Sequence, residues 1–376
     1  MQAARTAQRH RSSALPLAWL AVGIVAYASL YPFTGWRWPA DLSLTELLVL
    51  PLPPQRYRFD LWSNFLGYMP VAALIHAAGV RGGARSGRCW LFAALASSLL
   101  SYLMELTQQF LPPRFPSQLD WGLNTAGAVA GATASALVLR LGWVDHWQQA
   151  RDQWFIRRSG GALALLLAWP LGLLFPTPMP LGLGPSWGRL QEGLVELLVD
   201  VHGAEELLAW LEDSPPPIGQ QAPLAEAMGM ALGLLGPCLL AFVVTRPGWR
   251  RAAMALGAAL LGLATTTLSA ALNFGPAHAL AWTTPVVAPA CVLALALAAL
   301  LLRASARLAA TLAIAVLSAG MMLVAQAPSD PYFALSLQGW EQGRFIQFHG
   351  LAQWVGWMWP VVALGWLVAH LAAREP

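Results

Sequence analysis

The chain has 376 residues, of which 57% are hydrophobic and only 11% charged, with a mean hydropathy of +0.54 and a formal net charge of +4. A soluble globular domain carries about a quarter charged residues, so this composition excludes one and specifies an all-α polytopic membrane protein. All 22 basic residues are arginine and 19 residues are tryptophan. Those features suit charged membrane flanks and aromatic belts at two water interfaces, not a nucleic-acid surface.

Apolar runs of about 20 residues, the length that crosses a bilayer, occur near 14–34, 61–80, 89–111, 119–140, 161–181, 222–245, 252–274, 279–302, 308–326 and 351–373. The sequence thus predicts about ten transmembrane helices, four in a module over 1–148 and six in an extension over 149–376. With the N-terminus inside, 16 of the 22 arginines fall in cytoplasmic segments. That bias supports an even span count with both termini cytoplasmic. The stretch RTAQRHR, the apolar run after Leu15 and the triplet Ala26-Tyr27-Ala28 also match a cleavable signal peptide. A retained first helix is the reading adopted, because the apolar run continues through Leu30 to Phe33.

The loop over 35–60 contains LTELLVLPLPP and is expected to lie against the outer surface. Asp60 and Asn64 then open the second span one helical turn apart. On the third span Ser97, Ser101, Glu105 and Gln108 share one helical stripe, and on the fourth Asp120, Asn124, Gly127 and Gly131 do the same. The two stripes are expected to face each other across the short turn LPPRFPS, with Gly127 and Gly131 as a small-xxx-small contact. Topology places Asp60, Asn64, Glu105, Gln108, Arg114, Asp120 and Asn124 at one depth near the outer headgroups. Three acids against Arg114 leave an excess of negative charge, to be relieved by raised carboxylate pKa values, by Arg56 or Arg58, or by a bound cation or cationic ligand group. Helix capping explains Asp60 and Asp120 as well as ligand work does. Glu105, near a helix C-terminus, points instead to function or to a pair with Arg114.

Later in the chain an acidic amphipathic segment near 186–214 is expected to pack on the protein's own outer face, with a plain connector helix as the blander account. Cys89, Cys238 and Cys291 lack C-x-x-C spacing and read as small hydrophobes, with no disulfide framework and no metal site. His76 and His370 are lone histidines on apolar stretches, where such residues hydrogen-bond a neighbouring helix. Phosphate-loop, dinucleotide, zinc-protease and nucleophile-elbow motifs are absent, and no cofactor is expected.

The pattern D60-L-W-S-N64-F-L-G67-Y-M-P70, then S101-Y-L-M-E105-L-T-Q108-Q-F110, then R114 and D120-W-G-L-N124-T-A-G127-A-V-A-G131 resembles the VanZ-like family of small bacterial membrane proteins. The match covers about residues 15–140, and the six later helices lie outside it. The resemblance implies a four-helix module in the bacterial cytoplasmic (inner) membrane, linked in founding members to reduced susceptibility to the lipoglycopeptide teicoplanin. It carries over no catalytic residues. The function expected is a cell-envelope protein in which Asp60, Asn64, Ser101, Glu105, Gln108, Arg114, Asp120 and Asn124 form an outer-leaflet pocket for an amphiphile. That ligand would be a lipid-tailed antibiotic or a lipid-linked precursor. An enzyme acting on a lipid-linked substrate, with Glu105 or Asp120 as general base and Arg114 steadying an anion, is one alternative. A proton- or cation-coupled transporter is another, though transporters place coupling sites near the midplane.

Overall fold

The computed structural model describes residues 14–31, 33, 35–39, 43–52, 58–156, 159–177, 179–185, 187–199, 201, 203–213, 222–327 and 346–373. Among these the regular structure is helical, and one isolated bridge between Phe155 and Thr245 is the extent of β pairing. The chain divides into two compact units, Met1–Gln149 and Ala150–Pro376.

The first unit contains α1 (Ala14–Leu30), the single turn α2 (Leu44–Leu47), α3 (Arg58–Arg81), α4 (Ser86–Gln108) and α5 (Gln118–Arg140). The helix α6 (Trp143–Trp154) runs across the boundary. Within the unit α5 packs most closely on α3, α4 lies against both, and α1 lies against α3 and α4. The close approach of α3 and α5 follows from two glycines. A methyl group on Gly127 would overlap the Phe65 carbonyl oxygen, and one on Gly131 would overlap that of Met69. Ala72, Ala93, Ala128 and Ala132, all fully buried, fill the junction of the three helices. Side chains this small let helix backbones meet, and dispersion between well-packed backbones is what associates helices in lipid.

The second unit contains α7 (Gly160–Leu173), α8 (Trp187–Leu198), α9 (Glu205–Glu212), α10 (Pro223–Val244), α11 (Trp249–Phe274), α12 (Val287–Leu300), α13 (Ala306–Ala325) and α14 (Ile346–Ala372). Its centre is α10, buried continuously from Leu234 to Val244 and touched by α7, α11, α12 and α13. A helix apolar all round must be enclosed, and α10 meets that condition with protein.

Among the described residues six helices are long and apolar enough to cross a membrane: α4, α5, α10, α11, α13 and the Leu351–Ala372 part of α14. Three further apolar segments form shorter helices, α1 with 17 residues and α7 and α12 with 14 each. The run predicted over 161–181 ends as helix at Leu173 and continues as a buried irregular stretch through Phe175, Met179, Leu181 and Leu183. Leu181 holds a left-handed φ of 62° there. Gly229 and Gly233 of α10 make room for it, because a side chain at either would overlap Met179 or the Leu181 carbonyl. Non-helical backbone of this kind is tolerated in an apolar surrounding only when protein encloses it.

Candidate functional site

The turn between α4 and α5 organises one end of the first unit. Ser117 caps α5, its hydroxyl accepting from the Leu119 and Asp120 amides. Its own amide donates to Glu105 Oε2 at 2.8 Å, and Glu105 is 5% exposed. The carboxylate therefore sits at the positive end of the α5 dipole, which compensates for its unfavourable place at the end of α4. Asp120 is half-buried in the first turn of α5, near enough for its charge to be felt at Glu105.

Arg114 does not turn to Glu105 as a hydrogen-bond partner. Its Nη2 donates to the Ala28 carbonyl at 2.9 Å and to that of Tyr31, while Gln108 Nε2 donates to Ser29 at 3.0 Å. The expected Glu105–Arg114 pair is thus replaced by a cap on the C-terminal carbonyls of α1, which lack intrahelical partners and attract a cation. Burial pushes the Arg114 guanidinium below its ordinary value, and the nearby Glu105 charge pushes back. The group stays ionised in either case.

The loop before α3 is fastened to the same end. Tyr102 donates to Leu48, Gln109 to Leu47 and Gln118 to Leu50, all through main-chain carbonyls. The Gln118 amide also donates to the Pro51 carbonyl and the Arg37 amide to that of Phe110. Leu47 and Leu50 are buried beneath, so the loop does lie on the helix ends.

Deeper in the unit Asn124 Nδ2 donates to Ser101 Oγ at 2.9 Å, with Ser97 one turn further along α4. The Tyr68 hydroxyl of α3 lies beside Ser101 and within electrostatic reach of Glu105. Tyr68 Oη, Ser97 Oγ and Asn124 Oδ1 are buried without a hydrogen-bond partner. Asn64 is half-buried on α3, and Asp60 lies in the first turn of that helix with its side chain outside the described residues.

The predicted facing stripes are half right and need correction. Asn124 and Thr125 do meet α4, through Ser101 and Ser98. Gly127 and Gly131 instead meet α3, because a helix wedged between two neighbours divides one stripe between them. Tyr68 was not singled out by sequence, although it lies inside the quoted motif around Gly67. Ser117 could have been found from its S-x-x-D spacing to Asp120 ahead of an apolar run.

His76 is fully buried and joins three helices, Nδ1 to Ser135 of α5 at 2.9 Å and Nε2 to Ser86 of α4 at 3.1 Å. In the second unit the acidic segment is two helices, α8 and α9, broken around Gly203 at φ 90°. Leu197, Val201, Leu207 and Trp210 are exposed along them, and α8 packs on α9. The sequence also overlooked Arg251, 2% exposed, which donates to the Thr245, Leu302 and Ala304 carbonyls behind α10 and α12.

Chemically the first unit offers an oxygen-rich interior with one carboxylate beneath a cap of guanidinium, amides and carbonyls. Among the described residues no three His, Cys, Asp or Glu side chains come together. Comparison of the chain with family models, with curated proteins and with solved structures gives no match.

Proposed function

We propose that the first unit is a VanZ-like module of a bacterial cytoplasmic membrane, with both termini cytoplasmic. In this reading the α4–α5 end takes an amphiphile, a lipoglycopeptide or a lipid-linked envelope precursor, with its polar head at the cap and its tail in the outer leaflet. The family resemblance rests on the ordered motifs between Asp60 and Gly131. The observation that carries the reading is the composition of the cap. Arg114, Glu105 and Asp120 are gathered at one helix turn, and around them stand large apolar side chains facing outward, Phe115 at 80%, Leu52 at 72% and Val49 at 65% exposure. A polar centre with an apolar rim complements a molecule of the same duality.

The test is complementation of a deletion strain. The rim double variant Phe115→Ser/Val49→Ser and the head variant Asp120→Asn are each expected to raise lipoglycopeptide susceptibility or weaken the envelope at wild-type protein levels. Purified variants are expected to retain less teicoplanin or undecaprenyl-linked precursor by native mass spectrometry. Unchanged phenotype and unchanged retention in both variants would overturn the reading.

A further inference from the structure

One end of the second unit gathers positive charge that its own residues do not neutralise. The segments over 151–156, 245–251 and 302–307 hold six arginines against a single acid, Asp152. Hydrogen bonds bring the three segments together. The Ile156 amide donates to the Val244 carbonyl and the Arg246 amide to that of Trp154, while Arg251 reaches from the start of α11 to Leu302 and Ala304. Arg151 donates to Ser159 Oγ at 3.3 Å, and Arg246 donates to the main-chain carbonyl of Asp152 at 3.0 Å. Arg250 lies over the Trp249 ring at 5.5 Å, with its Nε buried and without a hydrogen-bond partner. Among the described residues these guanidiniums thus turn to carbonyls, a serine and an aromatic face, and none to a carboxylate.

Like charges so placed repel one another until an anion joins them. The helix α11 also begins here, at Gly248, without a side-chain cap, so its dipole adds to the positive field. Phosphate suits these donors, because a guanidinium meets its oxygens through two parallel hydrogen bonds. The surface beside the arginines indicates the source of that phosphate. Leu256 and Leu260 fall within about 20° of Trp249 around α11, and the three face outward at 56%, 71% and 64% exposure. This stripe runs about 16 Å along a helix long and apolar enough to cross a membrane, close to the depth of one hydrocarbon leaflet, about 15 Å. Trp249 packs edge-on against Trp154 at 5.0 Å, and such rings favour the level of the headgroups. A cationic site above an apolar strip one leaflet deep fits a lipid; a free anion or a nucleic acid would leave the strip uncovered.

We propose that this end of the second unit binds an anionic glycerophospholipid of phosphatidylglycerol type. Arg246 and Arg250, four residues apart across the bend at Pro247 and Gly248, hold its phosphate, and an acyl chain lies along Leu256 and Leu260. The site belongs wholly to the second unit, so it stands or falls apart from the preceding proposal.

The experiment uses the full-length chain, delipidated in detergent and titrated with dioleoyl phosphatidylglycerol or dioleoyl phosphatidylcholine, with bound lipid counted by native mass spectrometry. Phosphatidylglycerol is expected to bind about tenfold more tightly or better. Inorganic phosphate and chain-free glycerophosphoglycerol, at equal concentration, are expected not to compete with it, and competition by either would overturn the lipid assignment. Arg246→Gln/Arg250→Gln is expected to weaken phosphatidylglycerol by about tenfold and to leave phosphatidylcholine unchanged. Arg85→Gln/Arg88→Gln removes the same charge from the exposed start of α4 and is expected to change neither. Equal loss in both pairs would reduce the effect to diffuse charge and overturn the site. The unaltered chain gives a reading that does not depend on variants. Phosphatidylglycerol with a photoreactive diazirine in one acyl chain is expected to cross-link within 249–260. Cross-links spread evenly over the exposed helix faces, or equal binding of the two lipids, overturn the proposal.

Discussion

Two arginines in this lysine-free chain perform the same task. Arg114 holds the open carbonyls at the end of α1, and Arg251 holds those that follow α10 and α12. A planar guanidinium can serve several acceptors in fixed directions, which an ammonium cannot. Arg114→Lys is therefore expected to lower stability by about 1.5–3 kcal/mol, the worth of one hydrogen bond to a charged group. Arg251→Lys is expected to cost more, because three carbonyls from two helix ends lose their partner at a site only 2% exposed. Unfolding of both variants in detergent checks the order, and an equal or reversed cost would refute the capping account. Glu46 gives a pH-dependent counterpart at the surface. It closes a capping box with Ser43 at the start of α2, and those hydrogen bonds hold its carboxyl below the ordinary glutamate value. A depressed carboxylate pKa contributes stability above the unfolded value and loses it as pH falls through the folded one. Protection of the Ser43 and Glu46 amides, taken relative to the intrinsic exchange rate at each pH, is expected to fall as pH drops below the usual glutamate range and to show no such fall in Glu46→Gln.

Between elements, the decisive contact is α3 on α5. Gly131→Ala would press a methyl group into the Met69 carbonyl, where backbone on both sides leaves nothing to yield. A cost of at least about 1–3 kcal/mol is expected, as for overpacked cores. Gly122, on the same helix with no atom near its added methyl, is the control. Gly122→Ala is expected to be neutral or slightly stabilising, since alanine favours the helix. A melting temperature unchanged in Gly131→Ala would mean that the helices do not touch as described. This contact also marks how far the sequence could be read. Hydropathy located the helical segments because length and apolarity are local properties, and the i, i+4 pattern correctly grouped Asn124 with Gly127 and Gly131. A stripe gives an angle on its own helix and no neighbour, so the partner of the glycines, α3, was missed. The same limit hid the carbonyls that Arg114 caps, which belong to a helix more than 80 residues earlier. The irregular stretch around Leu181 was illegible for another reason, since its apolar residues match a buried helix segment and only packing against Gly229 and Gly233 distinguishes it.

At the scale of the molecule, the arginine distribution and the helix lengths make a joint statement that either alone would not. Arg81, Arg85 and Arg88 flank the start of α4, while Arg114 alone follows its end. The helix has 23 residues and only 33% of its most apolar window is buried inside the protein. Its outward face is apolar, with Leu91, Phe92, Leu95, Leu99 and Leu103 exposed, which suits lipid and not water. If α4 crosses the bilayer, the turns at Arg85 and Phe115 lie on opposite sides, and the positive-inside bias assigns Arg85 to the cytoplasm. The native cysteines leave a quiet background, since Cys89 and Cys238 are buried and only the half-buried Cys291 requires replacement by alanine. In that background Phe115→Cys, at the most exposed apolar side chain of the cap, is expected to react with a membrane-impermeant maleimide on intact spheroplasts. Arg85→Cys is expected to react only after permeabilisation. Reversed labelling would overturn the orientation while keeping the span. Labelling of both positions from one side would remove α4 as a crossing helix, and with it the outer-leaflet location on which amphiphile binding at the cap depends.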